Sequence, residues 1–325
     1  HRGQCGQPHR AIPQALAVSR TPFTSKDLAA ALAVVVIWGL NFVAMKFALR
    51  DFTPFQLGAA RYVFAALPLV LLVKFPRMHW KWVVLYGLCQ GVGQFGFLFS
   101  ALQVGMTAAL ASVLMQTQVF FTALFGFVLL HERADRPLQI GLSLAAMGLL
   151  CFALNYVMPG GATAGTTVWG LVLNLCAAAM WAASNIVARK AQQASQGFGA
   201  LGFVVWSSLV PIVPFVLMTT LFDPASVRWH WQGATWGSWV SVAYLGWVAT
   251  ILAYALWTGL LKRHAANRVA PFSLGVPVVG LSAGMLWLGE SITPWQWAGI
   301  ALVVTALVAV LLGPRLARPA ASRAS

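Results

Sequence analysis

The chain has 325 residues, of which 60% are hydrophobic and only 8% are charged. A water-soluble domain carries about 25% charged residues, so this composition excludes an ordinary soluble fold. The formal net charge of +15 is high enough for a nucleic-acid-binding protein. However, the basic residues lie between hydrophobic runs and form no basic domain, so we predict no nucleic-acid partner.

Ten hydrophobic runs follow one another along the chain, and each has about the 20 apolar residues that a membrane span needs. They cover residues 28–49, 55–73, 82–102, 107–130, 137–157, 167–188, 199–221, 236–261, 267–289 and 294–313. The second run has the weakest hydrophobic pattern because it contains Arg61 and Pro68. The pattern predicts an all-α integral membrane protein of ten transmembrane helices, with the lipid bilayer and a small-molecule substrate as its partners.

Most Lys and Arg residues lie in the connections on one side of the predicted membrane. If the N-terminus is cytoplasmic, 17 of the 21 basic residues fall on the cytoplasmic side, leaving Lys46, Arg50, Arg61 and Arg228 outside. Cations collect on the cytoplasmic side of inserted helices. We therefore predict a multi-pass protein of a bacterial inner membrane with both termini in the cytoplasm.

Two segments of the chain repeat each other. WGLNFVAMK (38–46) and WAASNIVARK (181–190) both place an Asn five residues before a Lys, and Glu132 and Glu290 each precede a Gly by nine residues. The repeats predict two five-helix units, 28–157 and 167–313, flanked by cytoplasmic tails at 1–27 and 314–325. Because each unit has an odd number of spans, the second unit is expected to be inverted, a pattern typical of transporters.

Four stretches carry a family resemblance: VVVIWGLNFVAMK (34–46), the run 93–121 that includes LMQTQVFF, LVPIVPF (209–215) and RVAPFSLGVPVVGL (268–281). Together they resemble the EamA family of the drug/metabolite transporter superfamily, and within it the O-acetylserine/cysteine exporter branch. The resemblance implies ten helices, export of cysteine-pathway metabolites and no organic cofactor. Other amino acids and hydrophobic drugs remain alternative substrates, and the sequence leaves open whether the chain is a monomer or a homodimer.

Titratable residues avoid the middle of the predicted spans. All six acidic residues and all six histidines lie at helix ends or in loops. Proton relays and intramembrane enzymes need such groups at depth. We therefore expect a facilitator or exchanger, or coupling through a group at a helix edge, and we predict neither enzymatic activity nor a metal site.

A polar solute must then be held mainly by neutral groups. Gln90 and Gln94 share one face of the third span, whereas Gln116 and Gln118 point to nearly opposite faces of the fourth, so we expect only one of that pair to line a cavity. In the eighth span Tyr244, Trp247, Tyr254 and Trp257 are candidates for a cavity wall, with aromatic packing or interface anchoring as the alternative for each of them. The predicted substrate-binding residues are Asn41, Arg61, Gln90, Gln94, Gln116, Gln118, Asn185, Tyr254 and Trp257. The alternative for the amides is interhelical hydrogen bonding alone.

Two cations, Arg61 and Lys46, lie within or beside the predicted spans. If the second helix begins at Thr53-Pro54, Arg61 lies ~10 Å inside it and needs a partner, such as Asp51, a helix C-terminus or a substrate carboxylate. Lys46 lies near a helix end, where it is expected to extend to the membrane interface or to act in gating.

Two more features concern backbone geometry. Pro271, Gly275 and Pro277 interrupt the ninth span and are gating candidates, with ordinary kinks as the alternative, and the pairs Gly87/Gly91 and Gly280/Gly284 predict close helix packing within the molecule.

Overall fold

The computed structural model describes residues 23–130, 136–158, 165–195, 198–264 and 266–316. Ten helices in these ranges are long and apolar enough to cross a membrane, which confirms the predicted number. They are α1 (Ser25–Ala48), α2 (Pro54–Leu72), α3 (Trp80–Gly105), α4 (Ala108–Val128), α5 (Arg136–Leu154), α6 (Val168–Ala194), α7 (Ala200–Phe222), α8 (Trp236–Leu261), α9 (Ala270–Leu288) and α10 (Pro294–Leu312). The described residues contain no β-strand. Glu132 and most of both tails lie outside the described residues.

Helix α2 begins where its sequence predicts. The side chain of Thr53 accepts a hydrogen bond from the main-chain N–H of Gln56, and the Gln56 side chain bonds back to the Thr53 N–H. Pro54 takes the first helical position, where its missing N–H costs nothing. This capping box fixes the start of the helix and places Arg61 seven residues into it.

Helices α3 and α8 are each widened by a nine-residue π-helical segment. The segments run from Gly87 to Phe95 in α3 and from Tyr244 to Leu252 in α8. They begin 157 residues apart, which nearly equals the spacing of 158 between Glu132 and Glu290. The same irregularity therefore recurs at corresponding positions of the two halves, and π-helical segments are frequent at functional sites.

Shorter irregular segments divide four other helices. A 3₁₀ turn (Met115–Thr117) interrupts α4, another (Ala270–Leu274) opens α9 ahead of the regular helix Gly275–Leu288, and α2 and α7 each consist of two helical pieces. Pro271 lies in the 3₁₀ turn of α9, as predicted for an interrupted span. Pro277 lies in the first turn of the regular helix, four residues after Ser273, whose carbonyl accepts a hydrogen bond from Gln116. A role for Pro277 in gating stays a prediction.

Contacts between the two halves form a reciprocal pattern. Helix α1 packs on α8 and α9, while α6, its counterpart, packs on α3 and α4. Three further pairs, α2 with α7, α4 with α9 and α5 with α10, join equivalent helices. Exchanging the halves therefore leaves the contact pattern unchanged, which is consistent with an inverted repeat.

Both GxxxG pairs pack against neighbouring helices of the same chain. A Cβ atom added at Gly91 would lie 1.9 Å from Cγ of Pro211 in α7, and one added at Gly280 would lie 2.4 Å from Cβ of Ser112 in α4. Only glycine permits such approaches. The prediction of close packing within the molecule is confirmed at both pairs.

Helix connections alternate between the two ends of the bundle. We call the end with the connections 49–53 and 223–235 the Asp51 end. The opposite end, at which α8 finishes and α9 begins, is the Arg263 end.

Candidate substrate cavity

A cavity of about 350 Å³ lies between the helices, with a wall contributed by α1, α2, α3, α4, α6, α8, α9 and α10. This volume is in the range of small-molecule sites. All nine residues predicted to bind substrate lie in its wall: Asn41, Arg61, Gln90, Gln94, Gln116, Gln118, Asn185, Tyr254 and Trp257. The gating candidates Lys46, Pro271, Gly275 and Pro277 do not line it.

Gln116 and Gln118 both line the cavity, so the expectation that only one would do so is wrong. Nε2 of Gln116 donates to the carbonyl of Ser273 in α9 (3.2 Å). On the other flank of α4, Oε1 of Gln118 accepts from Nδ2 of Asn185 in α6 (2.8 Å). The two side chains do point in different directions, but the cavity extends along both flanks of α4 and meets each of them.

Arg61 is the one cation among the described residues of the cavity wall, and it is only 3% exposed. Its Nη2 donates to Oγ1 of Thr250 in α8 (3.1 Å) and its Nη1 to Oδ1 of Asn41 in α1 (3.5 Å). The guanidinium carbon lies 3.9 Å from the centre of the Phe95 ring, a cation–π distance. The buried Nε has no hydrogen-bond partner.

The acidic groups in the described part of the chain are all engaged elsewhere. Asp51, one of the partners considered for Arg61, binds Thr235 and Ser238 instead. The others bind as follows: Asp27 to Arg263 and His264, Asp223 to Thr53, and Glu290 to the main-chain N–H groups of Ala108 and Ala109. Within the described ranges Arg61 therefore has only neutral neighbours for its charge.

Two glutamines of the π-helical segment in α3 present amides to the cavity. Gln90 accepts from Oγ of Ser184 in α6 (2.6 Å) and donates to the hydroxyl of Tyr254 in α8 (3.3 Å). The Oε1 atom of Gln94 is buried without a partner. Interhelical bonding thus accounts for Gln90 but leaves a polar atom of Gln94 unsatisfied, and such atoms are uncommon in native interiors.

Three aromatic rings meet in the wall at the junction of α1 and α8. The ring of Trp38 lies 5.6 Å from that of Tyr254 and 5.4 Å from that of Trp257, between centroids. Tyr244 and Trp247 do not line the cavity, so the alternative of aromatic packing or interface anchoring applies to them. Tyr244 donates its hydroxyl to the carbonyl of Ile37, and Trp247 is 49% exposed on the outer face of α8.

Several residues of the wall were not predicted from the sequence, notably Trp38, Trp181 and Ser273. Both tryptophans open the repeated motifs that identified the two halves. Trp38 precedes Asn41 by three residues and so shares its helix face. That spacing was a usable signal, whereas the inward direction of Ser273 depends on the 3₁₀ turn in α9.

Hydrogen bonds link helices at the Asp51 end of the bundle. One oxygen of Asp51 accepts from the N–H and hydroxyl of Thr235 and the hydroxyl of Ser238, at the start of α8. These bonds favour the charged carboxylate and lower the pKa of Asp51 below 3.8. Burial instead raises the pKa of Asp223 above its ordinary value, although Asp223 accepts a hydrogen bond from Thr53.

The cavity wall extends toward the opposite, Arg263 end. There it includes Ala188 near the end of α6, Ala270 at the start of α9 and Leu311 near the end of α10. The cavity therefore approaches one end of the bundle while the other is tied together.

Lys46 lies toward the Asp51 end and does not line the cavity. Its ammonium donates to the main-chain carbonyl of Leu102 in α3 (2.8 Å), and Leu102 is buried. The ammonium therefore binds a carbonyl in the last turn of α3, and its extension to the membrane interface stays a prediction.

No group of three or more His, Cys, Asp or Glu side chains that could hold a metal ion occurs in the ranges that the structure describes.

Comparison with known proteins decides the family. The model of the EamA-like transporter family matches residues 26–154 and 168–312, one match in each half. The chain belongs to the EamA-like transporter family. This EamA-like protein is accordingly a multi-pass membrane transporter, not an enzyme.

Two enterobacterial proteins are similar over nearly the whole chain. A "Probable amino-acid metabolite efflux pump" of Salmonella typhimurium is 39% identical over 91% of this chain and 98% of its own length. One of the same description from Escherichia coli is 37% identical over 89% and 96%. These relatives, together with the ten apolar helices of this chain, support its assignment as a multi-pass exporter of the bacterial inner membrane.

The fold also has a counterpart among solved structures. A chain described as "Crystal structure of protein" superposes with a TM-score of 0.58 over 90% of this chain and 99% of its own, at 21% identity. That similarity supports the ten-helix fold alone.

Proposed function

We propose that this EamA-like transporter exports small amino acids of the cysteine pathway, such as O-acetylserine and cysteine, by alternating access. The observation that carries the proposal is Arg61, a buried guanidinium in the cavity wall with no acidic partner among the described residues. A carboxylate from the substrate supplies the missing anion.

Physical chemistry favours this assignment of Arg61. A buried charge without a counter-ion costs several kcal/mol, and removing one member of a buried pair is correspondingly unfavourable. A guanidinium also matches a carboxylate in shape and can bind it through two parallel hydrogen bonds. Asn41, which already contacts Arg61 and lines the cavity, completes the proposed carboxylate site.

The remaining polar groups suit the rest of a small polar solute. Gln94 offers an unsatisfied buried oxygen, and Gln116, Gln118 and Asn185 add further amides to the wall. The names of the two enterobacterial relatives refer to amino-acid metabolites. The cysteine pathway rests on the resemblance of the 93–121 and 268–281 stretches to the O-acetylserine/cysteine exporter branch.

Charge distribution supports the direction of transport. With both termini in the cytoplasm, 17 of 21 basic residues lie on the cytoplasmic side. The Arg263 end of the bundle then faces the cytoplasm, and so does the cavity that extends toward it. An exporter in this state is ready to load substrate from inside, while the Asp51 end stays closed.

Coupling is proposed to be exchange or facilitated diffusion. The cavity wall contains no Asp, Glu or His among the residues that the structure describes, and a proton relay through the site would need such a group.

Counterflow in proteoliposomes tests the proposal. Vesicles loaded with unlabelled cysteine or O-acetylserine are expected to accumulate the labelled compound faster than protein-free vesicles, without a pH gradient. Larger amino acids and hydrophobic cations form the comparison panel. Accumulation of the hydrophobic cations but of no amino acid would overturn the proposal, and strict dependence on a pH gradient would overturn its coupling mode.

A further inference from the structure

We propose that Trp38, Tyr254 and Trp257 form a subsite for the ammonium group of the substrate, so that the transporter selects compounds with a free, protonated amine. This inference rests on the proposed function, because it takes the substrate carboxylate to lie at Arg61. It adds a second recognition element to the same cavity.

The rings lie next to the proposed carboxylate site along two helices. On α1, Trp38 precedes the Arg61 contact Asn41 by three residues. On α8, Tyr254 follows the other contact, Thr250, by four residues. Residues three or four apart on a helix are neighbours on one face, and one turn advances only 5.4 Å. An α-amino acid carries its ammonium and carboxylate on a single carbon, so one substrate can reach both groups.

The described residues of the cavity wall offer an ammonium only neutral partners. No carboxylate belongs to the wall in the described ranges, and the cation of Arg61 repels a second positive charge. Aromatic faces attract cations within about 6 Å of the ring centre without any formal charge. The ring centres lie only 5.4 and 5.6 Å apart, so the three rings form one aromatic patch, on which we place the ammonium.

Hydrogen bonds to neighbouring groups orient two of these rings. Nε1 of Trp38 donates to the carbonyl of Ala249 (3.1 Å) in the π-helical segment of α8. The hydroxyl of Tyr254 accepts from Nε2 of Gln90 (3.3 Å). The polar edges of both rings are therefore engaged within the protein. The same cavity already uses a ring in this way, since Arg61 stacks over Phe95.

Competition with four thiol compounds in the counterflow assay separates the two subsites. The compounds are cysteine, 3-mercaptopropionate, which lacks the amine, N-acetylcysteine, whose amine is neutral, and cysteamine, which lacks the carboxylate. We expect N-acetylcysteine and 3-mercaptopropionate to compete about 3- to 30-fold less well than cysteine, the range of a cation–π contribution.

Ring substitutions assign the effect to the three aromatics. Trp257→Leu is expected to lower the affinity for cysteine by a similar factor and to leave the affinity for 3-mercaptopropionate unchanged. Trp257→Phe is expected to retain most of the affinity for cysteine. Trp247→Leu is the matched control, because this tryptophan lies on the same helix but faces outward. Site-specific fluorination of Trp257, which weakens the negative face of the ring at constant shape, should lower cysteine affinity with each added fluorine.

The outcomes distinguish this inference from the proposed function. If 3-mercaptopropionate competes as well as cysteine and cysteamine does not, the carboxylate site stands and the ammonium subsite is overturned. The subsite is also overturned if Trp257→Leu lowers the affinities for cysteine and 3-mercaptopropionate equally, since the rings would then act by packing. If cysteamine alone competes, or if none of the four compounds does, the proposed function itself fails.

Discussion

Arg61 and Lys46 are both cations inside the helix bundle, but they have different surroundings, from which we propose different roles. Arg61 faces the cavity with only neutral partners. Lys46 faces a main-chain carbonyl at the end of α3, outside the cavity wall. Sequence position alone made both of them candidates, because each lies within or beside an apolar run.

Lys46→Met is therefore expected to lower stability and leave substrate affinity unchanged. The substitution removes a charge-assisted hydrogen bond and leaves the Leu102 carbonyl unpaired, at a cost of about 1–3 kcal/mol. Thermal unfolding in detergent and the counterflow KM measure the two effects. Lys190→Met, at the corresponding exposed position of the other half, should change neither quantity. Loss of transport at unchanged stability would instead assign Lys46 to gating.

Helix irregularities explain which features of the site the sequence could predict. Proline marks the 3₁₀ turn at Pro271, so the interruption of α9 was predictable. The π-helical segments of α3 and α8 contain no proline. They are supported by tertiary contacts, such as the Trp38 bond to the Ala249 carbonyl, which no local pattern encodes. Gln116 and Gln118 were misjudged for a related reason, since helix periodicity gives directions but not the width of the cavity.

Asp51 links the α1–α2 connection to the start of α8, and its charge is expected to stabilise this link in a pH-dependent way. Its lowered pKa means that the contribution is complete above the ordinary value of 3.8 and is lost as the pH falls through the lowered pKa. Asp51→Asn keeps an acceptor oxygen but removes the charge. We expect it to lower stability by about 1 kcal/mol at pH 7 and by much less near pH 3, as measured by thermal unfolding.

Asp223→Asn is the matched control at the same end of the bundle. Because burial raises the pKa of Asp223, its charged form is disfavoured in the folded protein. Its replacement by Asn should therefore leave stability at pH 7 unchanged or raise it. A pH-independent loss for Asp51→Asn would contradict the role given to its charge.

At the scale of the whole molecule, hydropathy and repeated motifs were sufficient to predict ten helices. Each repeated unit has its own hydrophobic runs and its own copy of the motifs, and the family model matches both halves. The meeting of residues from eight helices in one cavity is a property of the assembled bundle. Polar residues in apolar helices could still be identified beforehand, because such side chains must avoid lipid. The location of Arg61 was predictable in this way, whereas its lack of an acidic partner required the structure.

The central claim is that Arg61 binds the carboxylate of an exported amino acid, and equilibrium binding of labelled cysteine to purified protein tests it most directly. Arg61→Gln should weaken binding at least about 30-fold, as expected when a buried hydrogen-bonded charge pair loses one member. It should remain folded, since it removes a buried charge. Arg50→Gln is the control, because Arg50 also stacks on a phenylalanine but is exposed and outside the cavity wall. Wild-type affinity in a folded Arg61→Gln variant would contradict the account.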